Sequence, residues 1–452
     1  MFSRITIPFK KSPLLTGTLV YFITVFITYI SAMIFGSKNT CFHIFSYPNI
    51  IIGLAGLILF YFYYQNPHPP AVCSYILSFF YLLVITFFIC NITWDLFSLK
   101  TYGDSSWIVR FIENKTFFPR WLGGLAVNHW VYAAISTFPP FKESITELFP
   151  LTYLKLSGLL TMLISTLYAL FKWPGRLAVI FTIFMPIYLL FSSGHLEYYP
   201  YVAGPLLLTL CIFFLDTPKK INPYYAGIIL ASLPLLYTGF APISLIILIW
   251  LIFLNPANFI KIASSYCAGF FVFLRLFWPG NIYSFFPELY KHMNWGETNS
   301  LYHRYKGLVS SDTSIFFKRE FALDPSHLYD LFYMLFFSGG IIFLIFLILA
   351  TLSYIYQHKL TWLNKQIIQK LSGGGALIFW QIYFFIFMIP KLGPRFDIDL
   401  FFTTYIVFSF FSGLLFEATF KNKLLRFCAV AIVLGNSAVT TVYLLLIGLP
   451  KI

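Results

Sequence analysis

Carboxylates and the side chains that could work with them fall into four short groups along an otherwise apolar chain of 452 residues. The first group holds Asp95, directly after an apolar run, and Asp104, in the turn Tyr-Gly-Asp-Ser-Ser. Gly103 allows the backbone to turn sharply at that point. Asp104 is therefore either the N-cap of the amphipathic helix that follows or a catalytic base, because a carboxylate suits both roles.

The second group is the turn SSGHLEYYP, which joins two apolar runs and contains His195, Glu197 and Tyr198. Placing a carboxylate, an imidazole and a phenol at a membrane edge is costly unless they are paired or hydrated. The turn is therefore either an interfacial aromatic belt with a solvated Glu197 or part of a site for a polar substrate.

The third group, in loop 279–328, interleaves cations and histidines with aromatic rings, and it includes Arg304 and His327. This composition suits an anionic lipid head group or a sugar stacked on rings, and it equally suits a solvated loop. The fourth group, PKLGPRFDIDL, holds Arg395 and Asp397 between two apolar runs. Arg395 either clamps a phosphate with two hydrogen bonds or pairs with Asp397.

The composition shows what kind of scaffold must hold these groups. Hydrophobic residues make up 59% of the chain and charged residues only 10%, whereas a soluble domain carries about 25% charged residues. The mean hydropathy of +0.80 agrees. Soluble enzymes, disordered scaffolds and nucleic-acid-binding domains are thereby excluded. The net charge of +14 is explained by Lys and Arg on cytoplasmic loops, so no nucleic-acid partner is expected.

Apolar runs of about 20 residues can cross a bilayer, and the chain contains many. They predict an all-α, polytopic transmembrane bundle with an N-terminal pair of spans in 1–71, a core in 72–420 and a last span in 421–452. Two long loops, 94–149 and 279–328, lie outside the bilayer. We predict thirteen spans, near 13–36, 48–65, 72–93, 150–171, 175–193, 197–216, 222–238, 240–255, 259–278, 329–353, 371–389, 399–417 and 425–449.

The segment 121–139 is either a short span or a helix that lies along the membrane surface. If it lies along the surface, fourteen basic residues fall on one face with only two acids, Asp216 and Glu417, and the other acids fall on the opposite face. Counting it as a span destroys this separation. The positive-inside rule therefore favours a surface helix, a cytoplasmic N-terminus and acid-base chemistry at the extracytoplasmic face.

Other polar residues carry less information about chemistry. The six cysteines have no metal-site or disulfide spacing, and we interpret them as small core residues. The first apolar run is too long for a cleavable signal peptide and is predicted to be a retained span. Lys155 and Arg275 lie near predicted span ends, where their charged groups can reach the membrane surface.

In this order the four groups resemble the C-type glycosyltransferase superfamily (GT-C), integral membrane enzymes that take a sugar from a polyprenyl-phosphate donor. The layout is similar to oligosaccharyltransferases, protein mannosyltransferases and aminoarabinose transferases, whose first outer loop bears an essential Asp and surface-parallel helices. Asp104 matches that Asp, and Glu197 matches the acid of their second outer turn. GHLEYYP, DPSHLYDLFYMLFF and GPRFDIDLFF are also similar to segments of uncharacterised bacterial members.

The resemblance implies an inverting sugar transfer at the outer surface of a bacterial inner membrane. Its partners are a polyprenyl-phosphate-linked sugar, the bilayer, and an acceptor that the sequence does not identify. The base is Asp104 or Asp95, because Gly-Asp replaces the Asp-Glu pair of the mannosyltransferases. Glu197 orients the acceptor or holds an ion, and Arg395, or else Arg304, faces the leaving phosphate. His195, Tyr198, His327 and Asp397 complete the substrate-binding set.

No cofactor is assigned, because the second turn has one acid rather than Asp-x-Asp and so gives little ground for a divalent metal. A transporter or lipid-linked-glycan flippase is the alternative function. It predicts charges buried in mid-membrane and broken helices related by an internal repeat. Neither is evident in the sequence, although Gly339-Gly340 and Gly373-Gly374-Gly375 could mark helix breaks. A non-catalytic partner in envelope assembly is a third reading.

Overall fold

A computed structural model gives the positions of most of the apolar segments and of few of the loops. It describes residues 12–35, 40–65, 70–91, 148–192, 199–216, 221–294, 325–357, 365–387 and 401–448, and six positions between 122 and 133. These residues form helices and short connections, with no strand among them. The prediction of an all-α fold is therefore confirmed for the described part of the chain.

The helices follow the hydropathy of the sequence closely, and each of the thirteen predicted segments coincides with one helix or with two consecutive helices. In chain order the helices are α1 (Pro13–Phe35), α2 (Thr40–Gln65), α3 (Pro70–Asn91), α4 (Leu148–Lys172), α5 (Leu177–Ile183), α6 (Pro186–Ser192), α7 (Tyr199–Leu210), α8 (Pro223–Leu236), α9 (Ala241–Leu254), α10 (Phe259–Phe277), α11 (Ile282–Asn294), α12 (Pro325–Phe337), α13 (Gly340–Gln357), α14 (Lys365–Phe387), α15 (Phe402–Thr419) and α16 (Lys423–Gly448). A π-helical turn, Cys211–Leu215, extends α7, and short 3₁₀ turns precede α9 and α10.

Apolar character extends all round many of these helices, as expected of a protein that lies in a membrane. Four helical stretches in the described residues are long and apolar enough to cross a bilayer by themselves, and eight further apolar stretches of 10–17 residues lie in the other helices. The four are Pro13–Ile34, Pro256–Phe277, Phe402–Thr419 and Lys423–Leu444. Together these helices indicate a membrane protein.

The core of the bundle forms around α15 and α16, the two most buried of the long apolar helices. Helix α15 packs against α5, α13 and α14, and α16 packs against α1, α2 and α6. The first two helices and the last helix of the chain therefore form one group. At this contact the Phe427 ring lies directly over Gly17, where any side chain would collide with it.

Two of the predicted spans are interrupted, which the apolar patterns did not reveal. Helices α5 and α6 are separated at Phe184–Met185, and α12 and α13 are separated at Ser338–Gly339, where Gly339 has φ +76°. Conversely, α14 runs unbroken through 373–375. The sequence hypothesis of a break is thus correct for Gly339-Gly340 and wrong for the triple glycine.

The triple glycine instead permits close packing of aromatic rings on α14. A Cβ on Gly373 would lie 2.6 Å from the ring of Trp250, and a Cβ on Gly374 would lie 2.6 Å from the ring of Phe411. Gly375 has nothing within 4 Å at the corresponding position. At Gly373 and Gly374, the lack of a side chain therefore allows the neighbouring helices to approach closely.

Candidate functional site

Five aromatic side chains gather where four helix ends meet, and we call them the aromatic cluster: Phe191, Tyr199, Tyr237, Phe240 and Phe402. The rings of Phe191 and Tyr199 stack with centroids 5.4 Å apart, and the Tyr199 and Phe402 centroids are 5.0 Å apart. Tyr237 and Phe240 each lie 5.8 Å from Phe402. All five side chains are buried, so the cluster fixes these helix ends relative to one another.

The helix ends in the aromatic cluster flank two of the segments that contain predicted site residues. Helix α6 ends at Ser192 and α7 begins at Tyr199, so these ends flank 193–198, the segment that contains Glu197. Phe402 begins α15 one residue after the segment 388–400, which contains Arg395. The described ends of the second and fourth predicted groups are therefore in contact.

A chain of buried hydroxyl groups, the hydroxyl network, lies beside the aromatic cluster. The hydroxyl of Tyr81 donates to Ser192 Oγ at 2.6 Å, and Ser192 Oγ donates to the Tyr188 carbonyl oxygen at 2.8 Å. Thr166 Oγ1 lies 2.9 Å from the Tyr188 hydroxyl and donates to the Tyr81 hydroxyl at 3.4 Å. Thus Tyr188 donates to Thr166, and the hydrogen bonds run in one direction, which strengthens each of them.

The hydroxyl network links α3, the helix that precedes the first long loop, to the end of α6. Tyr81 lies about half-way along α3, and α3 continues for ten residues to Asn91, a rise of about 15 Å. Ser192, the last residue of α6, is thus level with the middle of α3.

The predicted site residues themselves fall almost entirely outside the described part of the chain. His327 belongs to α12, but its side chain is not described. The other predicted residues lie outside the described residues: Asp95, Asp104, His195, Glu197, Tyr198, Arg304, Arg395 and Asp397. The structure describes the helix ends on either side of the segments that contain several of these residues. Within the described ranges no three or more His, Cys, Asp or Glu residues form a group that could hold a metal ion.

The opposite ends of the helices carry a charged cluster made of Lys172, Arg176, Asp216, Glu417 and Arg426. Lys172 Nζ lies 3.1 Å from an Asp216 carboxylate oxygen, and the indole of Trp173 donates to the same carboxylate at 2.8 Å. Arg176 Nε lies 2.9 Å from Glu417, whose carboxylate also accepts the Leu177 N–H. Arg426 donates to the backbone oxygens of Glu417 and Phe420.

This charged cluster contains both of the acids that the sequence analysis assigned to the basic face. Each carboxylate is already engaged by a cation and by a further donor, so neither is available as a base. The cluster joins the ends of α4, α7 and α15 to the starts of α5 and α16. Its arrangement indicates a structural role.

The two helix interruptions meet in the middle of the bundle. The sequence marked the second one through Gly339-Gly340, whereas the first was not expected. A Cβ on Gly339 would lie 2.8 Å from Pro186 Cδ and 2.7 Å from the amide nitrogen of Asn436, near the middle of α16. Ser437 donates to the carbonyl oxygen of Phe184, which the break leaves outside the helix. Pro186 was the available signal for the first break, because proline removes a helix hydrogen bond.

The cysteine prediction holds in part. Cys211 is buried, as expected of a small core residue, whereas Cys267 is exposed on α10. Arg275 is exposed in the last turn of α10, as the prediction for a residue near a span end requires.

The chain was compared with protein-family models, with curated proteins and with solved structures, and none of them matches it.

Proposed function

We propose that this protein is a membrane glycosyltransferase that moves a sugar, with inversion, from a polyprenyl-phosphate donor to an acceptor at the extracytoplasmic face. The observation that carries the proposal is the contact of Tyr199 with Phe402, 5.0 Å between ring centroids. Through this contact the ends of the segments that hold Glu197 and Arg395 are neighbours. Such a site needs a carboxylate for the acceptor and a cation for the leaving phosphate.

The hydroxyl network attaches α3, the helix that precedes the first loop, to the end of α6. Tyr81 of α3 bonds to Ser192, the residue before the segment with Glu197. The chain that leaves α3 leads to Asp95 and Asp104. Three of the four predicted groups are thus attached to helices that contact one another directly.

A surface position for the segment 121–139 has support in two contacts. The backbone at Gly123 approaches Leu235 and Leu236 closely, at the end of α8. The Trp130 ring lies 5.6 Å from Phe277, the last residue of α10. Because both contacts involve helix ends that also meet each other, a helix lying across those ends accounts for them better than a span running beside them.

The predicted sidedness has support from the charged cluster. Asp216 and Glu417, the two acids assigned to the basic face, both pair with basic residues at one end of the bundle. The aromatic cluster occupies the other end of the same helices. This separation agrees with basic residues on the cytoplasmic face and a transfer site on the extracytoplasmic face.

In the proposed reaction, Asp104 or Asp95 accepts the proton of the acceptor hydroxyl. The acceptor oxygen attacks the anomeric carbon, and the bond from that carbon to the phosphate oxygen breaks. The phosphate leaves with the bonding electron pair, and its negative charge is stabilised by Arg395 or Arg304. Glu197 orients the acceptor. One base is sufficient, since no glycosyl-enzyme intermediate forms.

Transfer can be measured with purified protein in liposomes that contain radiolabelled polyprenyl-phosphate sugars and candidate acceptors. We expect label to leave the donor lipid. Of the single variants Asp104→Asn and Asp95→Asn, the one that removes the base should abolish this release. The single variant Glu197→Gln should abolish it too. Glu288→Gln on α11 is the matched control and should retain activity. Release that persists at the parent rate in all three of the former variants would refute the assignment of the base.

The interrupted helices favour a second candidate function, the transport or flipping of a lipid-linked glycan. Discontinuous helices that meet in mid-membrane are typical of transporter binding sites, and the contact of Gly339 with Pro186 has this form. A flippase would move the intact donor across the bilayer without breaking the sugar-phosphate bond. The same liposomes distinguish the two functions, because flipping changes the sidedness of the label and transfer changes its chemical form.

A further inference from the structure

A cleft of 570 Å³ opens at the corner between α10 and α11. It is lined by Phe271 and Arg275 of α10, by the connection 279–281, and by Ile282 and Tyr283 of α11. Arg275 is exposed and forms no ion pair with any carboxylate in the described ranges of the chain. The described lining of the cleft contains no carboxylate either. Among the described residues, the cleft therefore presents one positive charge, that of Arg275, with no carboxylate paired to it.

The corner is held firmly, so the cleft has a defined shape. The Trp278 side chain is buried, and its indole N–H lies 3.2 Å from both the Asn281 carbonyl oxygen and Ser284 Oγ. The Asn281 side chain accepts the N–H of Tyr283 at the start of α11. A Cβ on Gly280 would lie 2.9 Å from the Trp278 indole nitrogen. Close packing and hydrogen bonds thus fix the connection that forms one wall.

The surroundings of the cleft are apolar on one side and aromatic on the other. On α10, Phe271, Val272 and Leu276 are each more than 50% exposed, so their side chains would face lipid tails. On α11, Tyr283 and Tyr290 are 85% and 71% exposed. Exposed tyrosines beside an apolar helix are typical of the level at which lipid head groups lie.

We propose that this cleft binds the phosphate group of an anionic phospholipid from the surrounding leaflet, with Arg275 as the phosphate ligand. A guanidinium can donate two parallel hydrogen bonds to a phosphate, and the cleft holds this group beside the exposed rings. The exposed side chains of Phe271, Val272 and Leu276 would contact the acyl chain. This apolar wall favours a lipid over a free phosphate ion. The proposal does not depend on the transferase function.

The test uses the full-length protein in detergent, stripped of lipid and titrated with phosphatidylglycerol while native mass spectra are recorded. Arg275→Gln should raise the dissociation constant of the first bound phosphatidylglycerol about five-fold, because it removes the cation that binds the phosphate. Lys261→Gln is the matched control, because Lys261 is exposed at the other end of the same helix. It should bind phosphatidylglycerol like the parent. Phosphatidylcholine, whose phosphate charge is balanced by its own ammonium group, should distinguish Arg275→Gln from the parent less than phosphatidylglycerol does.

Unchanged phosphatidylglycerol binding in Arg275→Gln would overturn the proposal. Displacement of the lipid by inorganic phosphate at equal concentration would also overturn it, since the site would then bind a soluble ion. Tyr283→Ala, which removes an exposed wall of the cleft, should weaken binding without affecting the fold. Thermal unfolding of each variant shows whether it is folded, so that a loss of binding is not mistaken for a loss of structure.

Discussion

Replacing Phe402 with alanine is expected to loosen the helix ends on which the proposed site depends. Phe402 is fully buried, and its ring centroid lies between 5.0 and 5.8 Å from those of four other rings. The alanine variant removes all four contacts at once. No described helix hydrogen bond is changed, so the perturbation reports the packing of the aromatic cluster.

The cost follows from packing rather than from transfer out of water. In a bilayer the unfolded reference state is also apolar, so the hydrophobic term is small. A void of roughly 100 Å³, at about 24 cal/mol per Å³, corresponds to about 2 kcal/mol. Four lost ring pairs at about 0.5 kcal/mol each add a similar amount. We therefore expect Phe402→Ala to destabilise the protein by about 2–4 kcal/mol.

The assay is unfolding of the detergent-solubilised protein with increasing sodium dodecyl sulfate, followed by tryptophan fluorescence. Phe379→Ala is the matched control: Phe379 lies on neighbouring α14 but is 74% exposed, so its removal leaves no cavity. Phe402→Ala should unfold at clearly lower denaturant than Phe379→Ala. Equal midpoints for the two variants would refute the conclusion that the aromatic cluster ties these helix ends together.

Three further predictions, the second of which compares two substitutions, test other parts of the bundle by the same unfolding assay. Glu417→Gln removes the ion pair with Arg176 and should cost about 1 kcal/mol, because the pair is partly solvated; high salt should reduce this difference, and a salt-independent cost would contradict it. Gly339→Ala should lower the free energy of unfolding by more than about 1 kcal/mol, because Gly339 has a positive φ and close neighbours. Gly375→Ala should be neutral or stabilising. A larger loss of stability in Gly375→Ala than in Gly339→Ala would exclude strain at the helix break. Tyr81→Phe should cost about 1 kcal/mol by breaking the hydroxyl network, and a neutral result would show that these hydrogen bonds do not contribute.

The helices were predictable because a membrane-spanning segment needs a long apolar run, which is visible in any sequence. Breaks within such runs were harder to predict. Phe184 and Ser338 lie in stretches as apolar as their neighbours, and Ser437 and Asn436 of α16, a helix far away in sequence, lie against the two breaks. Those contacts join residues far apart in the chain, and the local sequence around each break does not reveal them.

The candidate site was predictable in its residue types but not in its supporting structure. Glu197 and Arg395 stand out because charges are rare in this chain. Phe402 and Tyr199 do not stand out, since aromatic residues make up 21% of the sequence. Only the fold selects which rings meet. The glycines of α14 illustrate the same point, because small residues at close contacts and glycines at breaks look alike in sequence.

The central claim is that the segments with Asp104 and Glu197 face the extracytoplasmic side, opposite the charged cluster. Single cysteines replacing Gly103, Gly194 or Lys421, in a protein whose natural cysteines are changed to serine, can be labelled in intact cells with a membrane-impermeant maleimide. Gly103→Cys and Gly194→Cys should react from outside, and Lys421→Cys should react only after permeabilisation. Labelling of Gly103→Cys and Gly194→Cys from opposite sides of the membrane would contradict the account.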